Sequence, residues 1–320
     1  MSPIAFGKCL PALNGLHDRP QATPAAMRNQ PQLAAAVRNQ PQLAAAMRNQ
    51  RSLQPGCACP IYWRMPIAHL SQRAVLRLSG SEVRSFLQGQ ITNDIAQLAP
   101  DAPLYAGLLT PQGKALFAFI LFAAPEGAIL LDCDAAQAPA LARRLAMFRL
   151  RRDVAIAQTE LSVFAAWGET RAETADPRLA AAGARWIAAS ADTTATLADW
   201  HAHRIPLGLP EGDEIGSDEL LWLETNGREL HGVSFSKGCY VGQENTARMH
   251  HRGKVRKALV GARISGSAAD AIVHAGAREA GYLRGSPHDG LQMLLIRTEF
   301  MEHALSGETG PITIVRPPWI

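Results

Sequence analysis

From residue 73 to residue 78 apolar and more polar positions alternate, with Ala74, Leu76 and Leu78 on one side, which predicts a strand that Gly80 ends. Ser81 then stands where a helix N-cap belongs, ahead of Val83, Phe86 and Leu87 at helical spacing. Two apolar runs, 104–110 and 114–123, flank Pro111-Gln112-Gly113. The proline presets one turn dihedral and the glycine supplies a positive one, so the pair reads as a hairpin. Residues 128–131 predict another strand. Residues 135–150, rich in Ala and Leu, predict a long helix that closes on Arg151 and Arg152, basic residues suited to a helix C-terminus. The pattern then restarts, with strands at 161–167 and 185–189 and a short helix at 194–203.

Beyond Gly253 the segments shorten, with strands at 255–264 and 291–297 broken by Gly266, Gly276, Gly281 and Gly290. This composition suits a small all-β module closed as a barrel, which hides its edges. Strands and helices mixed without strict βαβ alternation predict an α+β fold with antiparallel sheets and helices on one face. No GxGxxG or Walker-type loop stands in the right context for nucleotide binding. The organisation read from this pattern is an extension at 1–64, an α+β unit at 65–155, a second at 156–252 and the barrel at 253–320.

The extension carries a decapeptide, Arg-Asn-Gln-Pro-Gln-Leu-Ala-Ala-Ala-Val, at 28–37, repeated at 38–47 with Met47 for Val37. Solenoid units need about 20 or more residues, and Pro31 and Pro41 interrupt any continuous helix. The stretch reads as a low-complexity segment, with Met65 opening the natural domain. The alternative is an organellar transit peptide, because Asp18 is the sole acidic residue before Met65. The compartment follows the same choice: cytoplasm, or the mitochondrial matrix. Charge adds little, since 32 basic against 28 acidic residues give a net charge of +4 and no case for nucleic-acid binding. No run of 18 apolar residues predicts a membrane span. Five irregularly spaced cysteines, Cys9, Cys57, Cys59, Cys133 and Cys239, read as thiols in a reducing compartment.

The chemistry concentrates in Ser234-Phe235-Ser236-Lys237-Gly238-Cys239-Tyr240-Val241-Gly242-Gln243-Glu244. Gly238 and Gly242 bracket a Cys-Tyr-Val triplet and give the loop backbone freedom. A helix starting near Gly242 places Cys239 ahead of its N-terminus with Lys237 close by, and both features favour a thiolate. Two readings stand side by side: a reactive thiol, or a small cysteine packed in a turn. His201, His203, His231, His250 and His251 fit no zinc spacing, so no metal site is read from them. Arg143-Arg144 and Arg149 with Arg151-Arg152 read as a solvated helix end, or as a basic face for polyglutamate tails or an acidic partner. Trp222 reads as core.

The run KGCYVGQE, followed by Thr246-Ala247-Arg248 and Arg252-Gly253, resembles the signature of YgfZ-type proteins and their mitochondrial counterparts. The resemblance extends to residues 86–94, 109–114 and 147–151, four segments in order across about residues 66–320. It implies tandem α+β units around a central cleft with a C-terminal β-barrel, similar to the tetrahydrofolate-dependent aminomethyltransferase. It also implies a folate-binding accessory factor in iron-sulfur cluster assembly or repair, whose partners are iron-sulfur scaffold or client proteins. Cys239 is then the functional thiol, in a loop shaped by Lys237, Gly238, Tyr240, Gly242, Gln243 and Glu244. Tetrahydrofolate or a derivative is expected to meet Gln90, Asn93, Asp94, Gly113, Lys114 and Arg248. One departure stands out: five residues after Gly113, where the resemblance leads one to expect Asp or Asn, the chain has Ala118. A methyl group neither accepts a hydrogen bond nor acts as a base. Aminomethyl transfer is therefore disfavoured, and a one-carbon transferase is the alternative reading.

Overall fold

The structure, a computed structural model, describes residues 65–168, 174–253, 255–265, 271–308 and 310–320. The extension read at residues 1–64, with Cys9, Cys57 and Cys59, lies outside them. The described chain opens with β1 (Ile67–His69) and β2 (Arg73–Ser79), then α1 (Val83–Gln88), β3 (Leu104–Leu109), β4 (Ala115–Ala123), β5 (Ile129–Asp134), α2 (Ala138–Arg149) and β6 (Ala155–Gln158). Five of these strands make an antiparallel sheet in the order β3-β4-β5-β2-β6. β4 reads as a continuous apolar run because both of its faces are covered. Phe119 and Leu121 pack with Phe86, Leu87, Leu141 and Leu145 of the two helices. Ile120 and Phe122 face the other way, into a cluster with Tyr105, Leu109, Trp222 and Leu230.

The hairpin 104–123 forms as expected, and Gly113 takes the positive φ of +81° that its turn requires. The helix cap does not. Glu82 occupies the N-cap position of α1, while Ser81 donates through Oγ and N to one Asp153 oxygen at 2.7 and 2.9 Å. A carboxylate 72 residues away outcompetes the helix end for the hydroxyl, because the turn at Gly80 lies hard against the Asp153 backbone.

A second antiparallel sheet has the order β1-β7-β8, from β7 (Ser162–Ala166) and β8 (Ala184–Ala188), and is backed by Trp200 of α3 (Leu197–Arg204). α4 (Gln243–Arg252) then leads into the C-terminal strands β9 (Lys257–Arg263), β10 (Ile272–Ala275), β11 (Arg278–His288), β12 (Leu291–Arg297), β13 (Leu305–Gly307) and β14 (Gly310–Val315). They close as a six-stranded barrel around Val260, Leu294, Ile296 and Phe300. The α+β architecture with a terminal β-barrel is thus the one the pattern predicts. No helix among the described residues is long and apolar enough to cross a membrane.

Charge, not only apolar packing, joins the sheets. Asp132 of β5 accepts from Arg73 of β2 at 2.5 Å and from Arg185 of β8 at 2.6 Å. Arg185 and Arg178 both reach one oxygen of Glu211, at 3.0 and 3.3 Å, and Arg178 also holds Asp176 at 2.7 Å. Arg204, at the end of α3, grips Glu214 at 2.7 Å. The side chains of all these groups are buried, so each charge depends on its partners; removing one leaves another uncompensated at a cost of about 3–5 kcal/mol. The surrounding guanidinium groups hold the Glu211 and Asp176 carboxyls below their ordinary range against the opposing effect of burial.

The network extends to the barrel through His201, stacked on His288 of β11 with ring centres 3.8 Å apart. Arg204 Nε donates to His201 Nδ1 at 3.0 Å, which requires a neutral ring. Burial first, then the Arg204 charge and His288, push the His201 pKa down to about 3. In the unfolded chain the ring takes its proton near pH 6.5. Below that pH the unfolded state binds a proton that the fold refuses, so stability falls as pH drops toward 3. Denaturant titrations of a His201→Phe variant should therefore show a shallower loss between pH 6.5 and 4 than the parent, by up to about 1.4 kcal/mol per pH unit. Parallel curves would remove His201 from the acid response.

Candidate functional site

Three of the four signature segments meet through their backbones. The turn after α1 runs through residues 88–94, and Gln88 braces it, donating from Nε2 to Asp94 Oδ1 at 3.0 Å and accepting from the Ile95 amide at 2.9 Å. Into this turn reaches Lys237, whose side chain is buried. Its Nζ donates to the carbonyls of Gln88, Ile91 and Asn93 at 2.7, 2.7 and 2.8 Å. An ammonium has three N–H groups, and these acceptors use them all. Burial lowers the Lys237 pKa to about 8, with the Asp94 charge opposing, so the cation persists at neutral pH.

Further bonds run beside this one. Thr92 Oγ1 donates to the Gly232 carbonyl at 2.6 Å, and Asn93 Nδ2 donates to the Tyr105 and His231 carbonyls at 2.9 and 2.8 Å. Trp222 is fully buried, as read, and fixes the base of the loop by donating from Nε1 to the Gly232 carbonyl at 3.1 Å. Its ring leaves no room for a side chain at Gly107 or Gly232, where an added Cβ falls 2.8 Å from ring atoms.

The hairpin turn supplies the other anchor. Gly242 adopts φ +85° as the N-cap of α4, and a Cβ there falls 2.5 Å from the Thr110 carbonyl oxygen. Asn245 Nδ2 donates to the Gln112 carbonyl at 2.8 Å, and Thr246 is buried beneath the helix start. Gly242 is therefore demanded by both conformation and close approach. At Gly238 an added Cβ meets nothing within 4 Å, so packing does not explain that glycine. Phe235 and His250 stack with ring centres 3.7 Å apart, closing the loop against α4.

Cys239 sits between two buried residues. Lys237 is held as described, and Tyr240 lies in the core beside Trp222, where burial pushes its hydroxyl up to about 12. With Lys237 and Tyr240 facing inward, Gly238 and Cys239 are exposed. Cys133 is the contrast: buried on β5, its thiol is pushed up to about 12 by desolvation and is chemically quiet. Lys237 does not donate to the thiol, because its three donors are committed to carbonyls 144–149 residues away in sequence.

The remaining signature residues are placed as follows. Asp94 accepts from the Ala96 amide and Gln88, and Lys114 Nζ donates to the Asp218 carbonyl at 2.9 Å. Gln90 and Gln243 are half-buried, while Glu244 and Arg248 lie exposed on α4. Ala118 stands on β4 opposite Gly107. The fourth segment, 147–151, forms the exposed end of α2. The polar side chains of residues 92–94 are thus bonded within the protein, and β4 offers a methyl where a carboxylate was expected. With Ala118 in that place, β4 offers no base to a folate taken as a reacting co-substrate.

The fold defines the class. A solved structure of the glycine cleavage system aminomethyltransferase T from Bartonella henselae superposes with a TM-score of 0.59 at 15% identity, covering 80% of this chain and 86% of that one. No family model matches the chain. The mitochondrial iron-sulfur cluster assembly factor IBA57 of Mus musculus is 33% identical over 302 residues, 78% of this chain and 84% of the relative. The tRNA-modifying protein YgfZ of Aliivibrio fischeri is 29% identical over 221 residues, 60% and 69% of the two chains. The chain belongs to the family of the iron-sulfur cluster assembly factor IBA57.

The Lys237 anchor has a direct test. A Lys237→Met variant leaves three buried carbonyls without their donor and should lose about 3–5 kcal/mol in denaturant unfolding. Lys237→Arg should rescue little of it, because a planar fork does not match three convergent acceptors. A loss below about 1 kcal/mol for Met would show the ammonium to be incidental.

Proposed function

We propose that this chain acts in iron-sulfur cluster assembly as a non-catalytic accessory factor, and that it works through the exposed Cys239. Family membership supports the process. The observation that carries the role of the loop is the contrast within four residues: Lys237 and Tyr240 are buried anchors, and the thiol between them faces outward. A soft, exposed cysteine sulfur suits iron, and one cysteine supplies one ligand of the four that a cluster takes. Any cluster that Cys239 touches is therefore held mainly by a second protein, an iron-sulfur scaffold or a client enzyme. Lys237, Gly238, Tyr240, Gly242, Gln243 and Glu244 present the thiol to it.

Tetrahydrofolate or a derivative enters this reading as a bound ligand and not as a co-substrate. The motif resemblance supports it, and the exposed guanidinium of Arg248 suits its glutamate carboxylates. Ala118 and the bonded side chains of Thr92 and Asn93 weigh against the second reading, a tetrahydrofolate-dependent one-carbon transferase. The mitochondrial names of relatives favour the matrix alternative for the compartment over the cytoplasm.

Cys239→Ala should leave the unfolding free energy within about 0.5 kcal/mol of the parent, as for an exposed substitution. In cells lacking the native gene it should fail to restore the activity of iron-sulfur enzymes; full restoration would take Cys239 out of the mechanism. Tetrahydrofolate at about one hundred times its dissociation constant should raise stability by roughly 2.7 kcal/mol without consuming a one-carbon donor. Steady turnover would favour the transferase, and the lack of any shift would remove folate from the account.

A further inference from the structure

The end of α2 carries a surface that the Cys239 loop does not use. Toward the sheet the helix buries Ala138, Leu141 and Leu145. Its last turn then sends apolar side chains outward: Met147, Phe148 and Leu150 are 66%, 38% and 83% exposed. They are three of the five large apolar residues exposed among the described residues, gathered within four positions. Exposed apolar clusters of this kind mark contact sites far more often than isolated exposed leucines do.

Leu150 adds a second, independent observation. Its backbone sits at φ +53°, ψ −117°, a region that a branched L side chain occupies at a cost of about 1–3 kcal/mol. The turn holds it there: the Arg152 amide donates to the Arg149 carbonyl at 3.0 Å, and Arg149 Nη1 donates to the Val154 carbonyl at 2.5 Å. A glycine would adopt this conformation without strain. The chain instead keeps a leucine whose side chain reaches water, so its packing within the fold does not explain it.

Charge selects the occupant. Arg143, Arg151 and Arg152 are exposed, and no ion pair joins them to an acid among the described residues. Arg144 lies over the Phe148 ring at 4.4 Å. The nearby acids are spent on the turn itself: Glu82 accepts from the Asp153 amide at 2.7 Å, and Asp153 accepts from Ser81. Leu150, Arg151, Arg152 and Glu82 line an open cavity of about 550 Å³, large enough to receive side chains. Guanidinium groups pair with carboxylates through a two-pronged fork.

We propose that the end of α2 is a docking site for an acidic protein segment bearing apolar side chains, distinct in residues from the Cys239 loop. A lipid surface fits less well. An interfacial helix lays a long apolar stripe along the membrane, whereas α2 spends its stripe on the sheet and offers one turn beside a concavity.

The test uses the full chain and a fluorescein-labelled peptide of Asp and Glu with interspersed Leu and Phe, followed by anisotropy at low and moderate salt. The parent should bind it, at least tenfold more tightly than the same peptide with Ser for Leu and Phe, and more weakly as salt rises. Leu150→Gly, which relieves strain and should not lower the melting temperature, should weaken binding at least tenfold. The double variant Arg151→Glu and Arg152→Glu should abolish it. The proposal is overturned by no binding to the parent, by equal binding to the variants, or by phosphatidylserine vesicles being bound in preference to the peptide.

Discussion

One buried cation orders the loop that carries Cys239. The Lys237 ammonium lies inside the turn 88–94, with a carbonyl acceptor for each of its three N–H groups. Without them a buried charge would be expelled or neutralised; with them, the loop that carries Lys237 has one low-energy position. The consequence passes along the chain. Two residues later Cys239 faces outward, because Lys237 before it and Tyr240 after it are drawn inward. The hairpin turn completes the restraint from the other side, where Gly242 fits against Thr110 only for want of a side chain. An exposed thiol on a fixed backbone loses little conformational freedom on meeting a partner, in keeping with the proposed role of Cys239.

Beneath that surface the molecule shares its fold with a solved aminomethyltransferase, and β4 carries Ala118 where the motif resemblance led one to expect Asp or Asn. Meanwhile Asp132, Glu211, Asp176 and Glu214 are all held by arginines, one of which, Arg185 of β8, joins the two sheets through Asp132 of β5. These carboxylates are structural: each is buried, ion-paired and turned to guanidinium groups of neighbouring elements.

Local pattern made the elements legible. The hairpin at 104–123, the helices at 138–149 and 243–252, and the glycine-broken strands of the barrel all follow from periodicity and turn chemistry. What local pattern does not carry is the choice of partner across long separations. Ser81 has the right identity for a cap yet bonds Asp153, and Lys237 sits two residues from a thiol yet serves carbonyls of a turn near residue 90. The buried arginines escaped for the same reason, although Asp132 within an apolar strand and Arg185 at the start of another were signals that a paired charge lay inside. At the site, residue types pointed to the loop and its thiol; its anchoring geometry depended on segments that come together only in the fold.

The Lys237 anchor couples the turn 88–94 to the loop 232–242. Hydrogen exchange resolved by peptide, comparing the parent with Lys237→Met under native conditions, tests that coupling most directly. The expected result is faster exchange in both segments together, with β9, β12 and the rest of the barrel unchanged. Unchanged protection in both segments, or loosening spread evenly over the whole protein, would contradict it.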